Sequence, residues 1–222
     1  TSAEEVKKPR GKVVRSRPAA EHAMALADLS GMMNVCMKVG DHSRVNVLSA
    51  IASFVLALEA AKRWEVGVIT PYHAQSRLLH AMARDAAERN PALKPISCAT
   101  VHQFQGSEKD VIVYDAVDCY RMKYPGRLLT ENKNNYANRL FNVALTRAKG
   151  KFVGVVNAAY MENKHLSKNL MFRQMMDSQS EKTSCLTGEA LLKEFAAVDE
   201  AGVKFFRCDH GQTEFLNDLA KA

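Results

Sequence analysis

The stretch TVHQFQGSEKDVIVYD, residues 100–115, sets His102, Gln103, Gln105 and Glu108 around Gly106, directly ahead of an apolar run. Without a side chain, Gly106 lets the backbone approach a ligand closely. Thr100 and His102 can donate hydrogen bonds to a nucleic-acid backbone, which fixes position without reading sequence. In ITPYHAQ (69–75), Tyr72 follows Thr70 and Pro71 where its ring could lie against a nucleobase. Such stacking contributes about 1–3 kcal/mol per base and tolerates any sequence. In NVALTRAKG (142–150), an apolar helix ends on Thr146, Arg147 and Lys149. A guanidinium stays charged and grips phosphate oxygens in a planar fork. Each group also has a plainer reading. Turn residues can simply satisfy local backbone groups, and Tyr72 can be partly packed core. Arg147 can be a cation favoured at a helix C-terminus by a few tenths of a kcal/mol. Lys149 can be merely solvated. Asn142 and Arg139 suit helix packing and loop anchoring, with Arg139 also able to approach phosphate.

Positioning these groups requires strands and helices in alternation. WEVGVIT (64–70), ISCATV and DVIVYDAV read as strands, the last apolar almost throughout, as in a parallel sheet covered on both faces. KFVGVVNA (151–158) is another. AMALADL fits either a strand or a short helix. A helix is expected from Ser43, capped by Ser43 or Asn46, with Val47, Ile51, Phe54, Val55 and Leu58 on one face. Further helices are expected over 74–88, 134–148 and SKNLMFRQMMD, whose methionines suit core packing. RMKYPGRLLTENKNN reads as a polar loop. GEALLKEFAAV reads as a short amphipathic helix, and FAAVDEAG (195–202) as its solvated end. Alternating strands and helices predict a doubly wound α/β sheet, whose ligands gather at the carboxyl ends of strands. All three polar stretches are therefore expected on one rim. The expected divisions are a basic, partly flexible segment over 1–40, the α/β domain over 41–177 and a partly helical extension over 178–222.

The chain has 222 residues, 31 basic against 24 acidic, for a net charge of +7. That balance permits a polyanionic partner without requiring one. The first seventeen residues are polar and rich in lysine and arginine, which suits either a solvated linker or a nucleic-acid-touching arm. No apolar run approaches the roughly 20 residues that cross a bilayer. Five cysteines with no CxxC pair fit reduced thiols in an intracellular protein, cytoplasmic or nuclear. CDH (208–210) is too cramped for a metal site by itself, so no metal is expected.

Taken together, ITPYHAQ, TVHQFQGSEKD and NVALTRAKG resemble motifs four, five and six of the second RecA-like domain of superfamily I helicases. The branch is that of the RNA-surveillance, senataxin-type and DNA-replication helicases, and the likeness runs from about Arg44 to Asn157. The resemblance implies a RecA-like fold with a mainly parallel sheet and helices on both faces. It places Gln105, Gly106 and Glu108 at the nucleotide, with Lys149 and Arg139 as further phosphate candidates. Thr70, Pro71, Tyr72, Thr100 and His102 fall on the single-stranded track. Arg147 becomes an arginine finger reaching the γ-phosphate of ATP held by a partner domain. Two positions depart from many members, which carry Asp where His102 stands and Arg where Lys149 stands.

The sequence contains no G-x-x-x-x-G-K-[ST] and no Q-Y-R-M-H-P-like segment. ATP and magnesium would accordingly be held mainly by a first, N-terminal RecA-like domain of the same protein, and neither tightly by this chain. Alone it is expected to be inactive. The alternative is a non-enzymatic RecA-like module that binds single-stranded nucleic acid or a partner protein. A doubly wound nucleotide-binding protein of another family is disfavoured by the absence of G-x-G-x-x-G.

Overall fold

Apolar side chains on successive strand residues divide between two cores, and this division sets the architecture. In β6 (Lys109–Asp115), Val111 and Val113 enter one core while Ile112 and Tyr114 enter the other. β7 (Ala148–Val156) does the same, Val153 and Val155 facing one way and Phe152 and Val156 the other. Side chains alternate across a strand, so such segments must be covered on both sides. The computed structural model describes residues 10–180 apart from 33, 105 and 132, together with 185–188, 190 and 191. Gln105, FAAVDEAG, CDH and most of GEALLKEFAAV lie outside the described residues.

The sheet has six strands in the order β5-β4-β6-β7-β1-β8. The remaining members are β1 (Met24–Asp28), β4 (Val66–Thr70), β5 (Ile96–Thr100) and β8 (Cys185–Thr187). Every pairing within it is parallel. All strands therefore start at one edge and end at the other. AMALADL is a strand, and β1 lies between β7 and β8. Strands from both sides of 41–177 thus complete the same sheet. One face carries α2 (Val47–Ala61) and α3 (His73–Arg89). The other carries a single turn α4 (Arg127–Thr130) within the stretch expected as a loop, then α5 (Tyr136–Thr146), α6 (Ala158–Asn163) and α7 (Met171–Ser180), with Met175 and Met176 buried as core. This is an α/β RecA-like fold.

The helix expected from Ser43 begins later. Ser43–Val45 forms β3, paired antiparallel with β2 (Met37–Val39) around Gly40 at φ +61°. Asn46 is the cap, its side chain accepting from the Ser49 amide at 3.1 Å. Ser43 instead takes the Ala74 amide at 2.9 Å, tying the hairpin to the start of α3. At the other end of the chain, a helical turn α1 (10–15) docks on the sheet. Lys151, fully buried within β7, donates to the carbonyls of Ser16, Pro18 (2.6 Å) and Ala19 (2.9 Å). Burial pulls its ammonium down to about 8, so the three carbonyls stand in for lost water. No helix among the described residues is long and apolar enough to cross a membrane.

Candidate active site and nucleic-acid interface

Only eight residues separate the end of β5 from the start of β6, and none of the described ones is in a helix. Because the two strands are parallel, residues 101–108 must run from the strand-end edge back to the strand-start edge. Val101 and Phe104 are buried on the α5 face of the sheet. Phe104 lies over Gly67, where an added Cβ would stand 2.5 Å from its ring. α5 runs the same way and meets the loop at both ends. Near the strand ends, Tyr136 and His102 are hydrogen-bonded at 3.3 Å. Near the strand starts, the Lys109 amide donates to the Arg147 carbonyl at 2.9 Å.

The predicted site residues consequently divide between two edges, and the single common rim is not found. Thr70, Pro71, Tyr72, Thr100 and His102 lie at the strand-end edge, where Thr70 and Thr100 are register partners. Arg147, Lys149 and Glu108 lie at the strand-start edge, since Ala148 pairs with Lys109 there. Gly106, exposed at φ +85° with open space around it, is on the way between them. Arg139 is not with Arg147. It is exposed in the first turn of α5, eight residues earlier, or about 12 Å along the axis.

At the strand-start edge Arg147 caps α5 and is partly exposed. Its Nε donates to the Val143 carbonyl at 3.3 Å and its Nη2 to Thr146 Oγ1 at 3.4 Å. Among the described residues it has no carboxylate partner. Glu108 and Lys149 are exposed. Lys109 bridges Glu65 at 3.1 Å, and this ammonium is the main reason the Glu65 carboxyl is held below its ordinary value.

The strand-end edge differs from the sequence expectation. Thr70 is fully buried and its hydroxyl accepts the Tyr72 amide at 3.4 Å. Thr100 donates its hydroxyl to Gln103 Oε1 at 3.1 Å. Both geometries match the plainer reading, local satisfaction of polar groups. Tyr72 is 4% exposed, packs with Cys36, Val117 and Cys119, and offers no open ring face. Its hydroxyl donates to Asp118 at 2.8 Å, and Arg44 lies 5.6 Å from its ring centroid. His102 alone of this group is exposed.

Other aromatic rings occupy the surface. The loop after β6 exposes Tyr120 (46%) and Tyr124 (65%), and Lys123 lies 5.3 Å from the Tyr124 ring centroid. Tyr124 was hidden in a stretch that reads only as a polar loop, and Tyr120 stands just ahead of it, although the density of Tyr, Lys and Arg there was visible. Buried carboxylates hold the loop. Asp115 accepts from Ser49 Oγ, the Val117 amide (3.0 Å) and Gln75 Nε2 (2.7 Å). Asp118 accepts from Arg44 (2.6 Å), Tyr72 and the Gly126 amide (2.7 Å). They fix a backbone in which Val117 (φ +69°) and Arg121 (φ +73°) occupy the left-handed region, which is costly for a β-branched residue. Gln75 also bonds both the amide and carbonyl of Asn46, joining α2, α3 and β6.

Burial pushes the Asp115 carboxyl up to about 6, although its hydrogen bonds oppose the shift. The native state thus holds a proton there, between pH 4 and 6, that the unfolded chain gives up. Stability from this group is full below the ordinary aspartate range and is lost as pH rises toward 6, by about 3 kcal/mol. Between pH 4 and 6.5 the unfolding free energy of wild type should fall by about 2 kcal/mol more than that of Asp115→Asn. Equal slopes would refute it.

The chain is similar in sequence to known proteins. A family model described as an AAA domain matches residues 2–159. The chain is 36% identical over 108 residues to a regulator of nonsense transcripts 1 homolog of Arabidopsis thaliana, covering 48% of this chain and 8% of that protein. It is 30% identical over 145 residues to regulator of nonsense transcripts 1 of Dictyostelium discoideum, covering 64% and 10%. It is 36% identical over 104 residues to the DNA polymerase alpha-associated DNA helicase A of Saccharomyces cerevisiae, covering 46% and 14%. The matched segment is thus a small part of each of these relatives.

Proposed function

The chain belongs to this AAA-domain family as a RecA-like domain of the superfamily I helicases, and we propose that it is the second motor domain of an ATP-dependent DNA or RNA helicase. Single-stranded nucleic acid follows the strand-end edge, and the triphosphate, held by a first domain, meets the strand-start edge. The observation that carries this reading is the 101–108 loop, which meets α5 at the strand-end edge and again at the strand-start edge. One segment can thereby pass a displacement at one edge to the other.

Arg147, Lys149 and Gly106 suit a phosphate group. The guanidinium is unpaired by any carboxylate among the described residues, the ammonium is exposed, and nothing crowds the glycine backbone. Glu108 and Gln105 belong to the same reading as nucleotide contacts, and Arg139 to a phosphate nearer the nucleic acid. ATP hydrolysis supplies the free energy for translocation, while this chain supplies charge and position. The chain alone does not hydrolyse ATP, because its sequence has neither a phosphate loop nor the carboxylates that hold magnesium. Fusion to a first domain should yield strand-stimulated turnover. No stimulation by either DNA or RNA would favour the non-enzymatic module instead.

On the track, Tyr124 takes the stacking role expected of Tyr72, at the same strand-end edge as the His102–Tyr136 pair. Tyr124→Ala should weaken binding of a single-stranded oligonucleotide about 5- to 150-fold, the range of one base–aromatic stack, without changing thermal stability. Tyr72→Phe should do the reverse, leaving affinity intact while costing about 1 kcal/mol through its lost hydrogen bond to Asp118. Unchanged affinity in Tyr124→Ala would remove that residue from the track.

A further inference from the structure

A concave surface lies away from the tyrosines, where α1 meets the segment that joins α2 to β4. Lys12, Arg15, Ser16, Arg63 and Trp64 line a cleft of about 390 Å³. Its two walls come from distant parts of the chain and are fixed against each other. Val13 is buried against Gly150, where a Cβ would stand 2.7 Å from its side chain. Lys151 holds the carbonyls of residues 16, 18 and 19, and Trp64 Nε1 donates to Ser16 Oγ at 2.8 Å.

We propose that this cleft binds a phosphate-bearing ligand with a planar base, either a nucleic-acid strand or a free nucleotide, at a site separate from the track. Lys12, Arg15 and Arg63 are exposed, and no acidic residue among the described ones lines the cleft. Among the described residues none of the three forms an ion pair. The neighbouring acids are engaged elsewhere, Glu59 with Lys62 at 2.5 Å and Glu65 with Lys109 at 3.1 Å. Three uncompensated cations around one cavity concentrate positive potential and attract anions. Guanidinium groups suit phosphate oxygens, and an indole wall suits a stacked base. Neither a solvated charge run nor a core tryptophan requires that combination. Trp64 stands just ahead of β4 and Gly150 near the start of β7, so the cleft opens at the strand-start edge, opposite the tyrosines. Of the basic segment near the start of the chain, Lys12 and Arg15 stand here in a docked wall of the cleft.

Trp64 is the only tryptophan of the chain, so its fluorescence reports on the cleft alone. The 222-residue chain is titrated with a twelve-nucleotide oligouridylate, with oligothymidylate and with AMP, each also in competition with inorganic phosphate. Saturable quenching by the oligonucleotides only identifies a strand as the ligand, and quenching by AMP identifies a free nucleotide. In either case Arg15→Glu/Arg63→Glu should weaken binding at least tenfold, and Arg63→Gln should do so in part. Both replaced residues are exposed, and an unchanged melting temperature verifies the fold. Tyr124→Ala and Arg147→Ala should leave the quenching untouched, which separates this site from the motor reading. Absence of quenching by any probe, or quenching that survives the double replacement, would overturn the proposal.

Discussion

Replacing Arg147 with alanine, in a protein that joins this chain to a first motor domain, should lower strand-stimulated ATP turnover by about 10³ to 10⁵, the usual worth of an arginine finger. The geometry favours an available side chain. Its hydrogen bonds, to the Val143 carbonyl and Thr146 Oγ1, are long and lie within its own helix end. Giving them up for a phosphate costs little. If Arg147 served only the helix dipole, its loss would cost about 0.3–1 kcal/mol of stability and nothing in turnover. A lysine would then substitute without penalty. As a finger, lysine should recover only part of the rate, because a point charge lacks the planar fork. Nucleotide affinity should remain largely intact in both variants. An unchanged kcat in Arg147→Ala would remove the finger and leave the cap.

The four strands β4, β5, β6 and β7 were legible because they are short apolar runs bounded by turn residues, the pattern of a sheet covered on both faces. β1 was ambiguous for a physical reason. Five residues rich in Ala and Leu fit either period, and only pairing with β7 decides. The β2–β3 hairpin was missed because Met37 and Val39 are largely exposed and each strand has three residues. In the site, proximity in sequence misled twice. Tyr72 follows a strand end, but its ring direction is fixed by Asp118, forty-six residues away. The common rim failed although the sequence already held the correction. Two parallel strands joined by eight residues force the linker to recross the sheet. At about 3.3 Å per residue such a linker reaches the roughly 17 Å needed. The divided edges separate His102 and Tyr136 from Arg147 and Lys149, which is the separation the proposed coupling of strand to triphosphate uses.

The second large effect is on stability, at Asp118. This carboxylate is 1% exposed and accepts from Arg44, the Tyr72 hydroxyl and the Gly126 amide. Burial works against both charges of the ion pair. For Asp118 it prevails, and the carboxyl is pushed up despite Arg44 and the hydrogen bonds. For Arg44 the nearby Asp118 and Tyr72 outweigh it, and the guanidinium is held above its ordinary value. The pair is therefore no simple gain, and its two kinds of replacement should differ. Asp118→Ala strands a half-buried guanidinium and leaves two donors unpaired. It should cost about 3–5 kcal/mol in urea unfolding, a large share of the 5–15 kcal/mol typical of a whole domain. Asp118→Leu combined with Arg44→Met removes both charges and should cost markedly less than the single change. The single variant should also loosen the loop that presents Tyr124, since Arg44 binds the Tyr124 carbonyl at 3.1 Å and Asp118 binds Gly126. Strand affinity should then fall even at temperatures where the fold persists. A cost below about 1 kcal/mol for Asp118→Ala, or a double variant as unstable as the single, would show that the carboxylate is not what secures this edge.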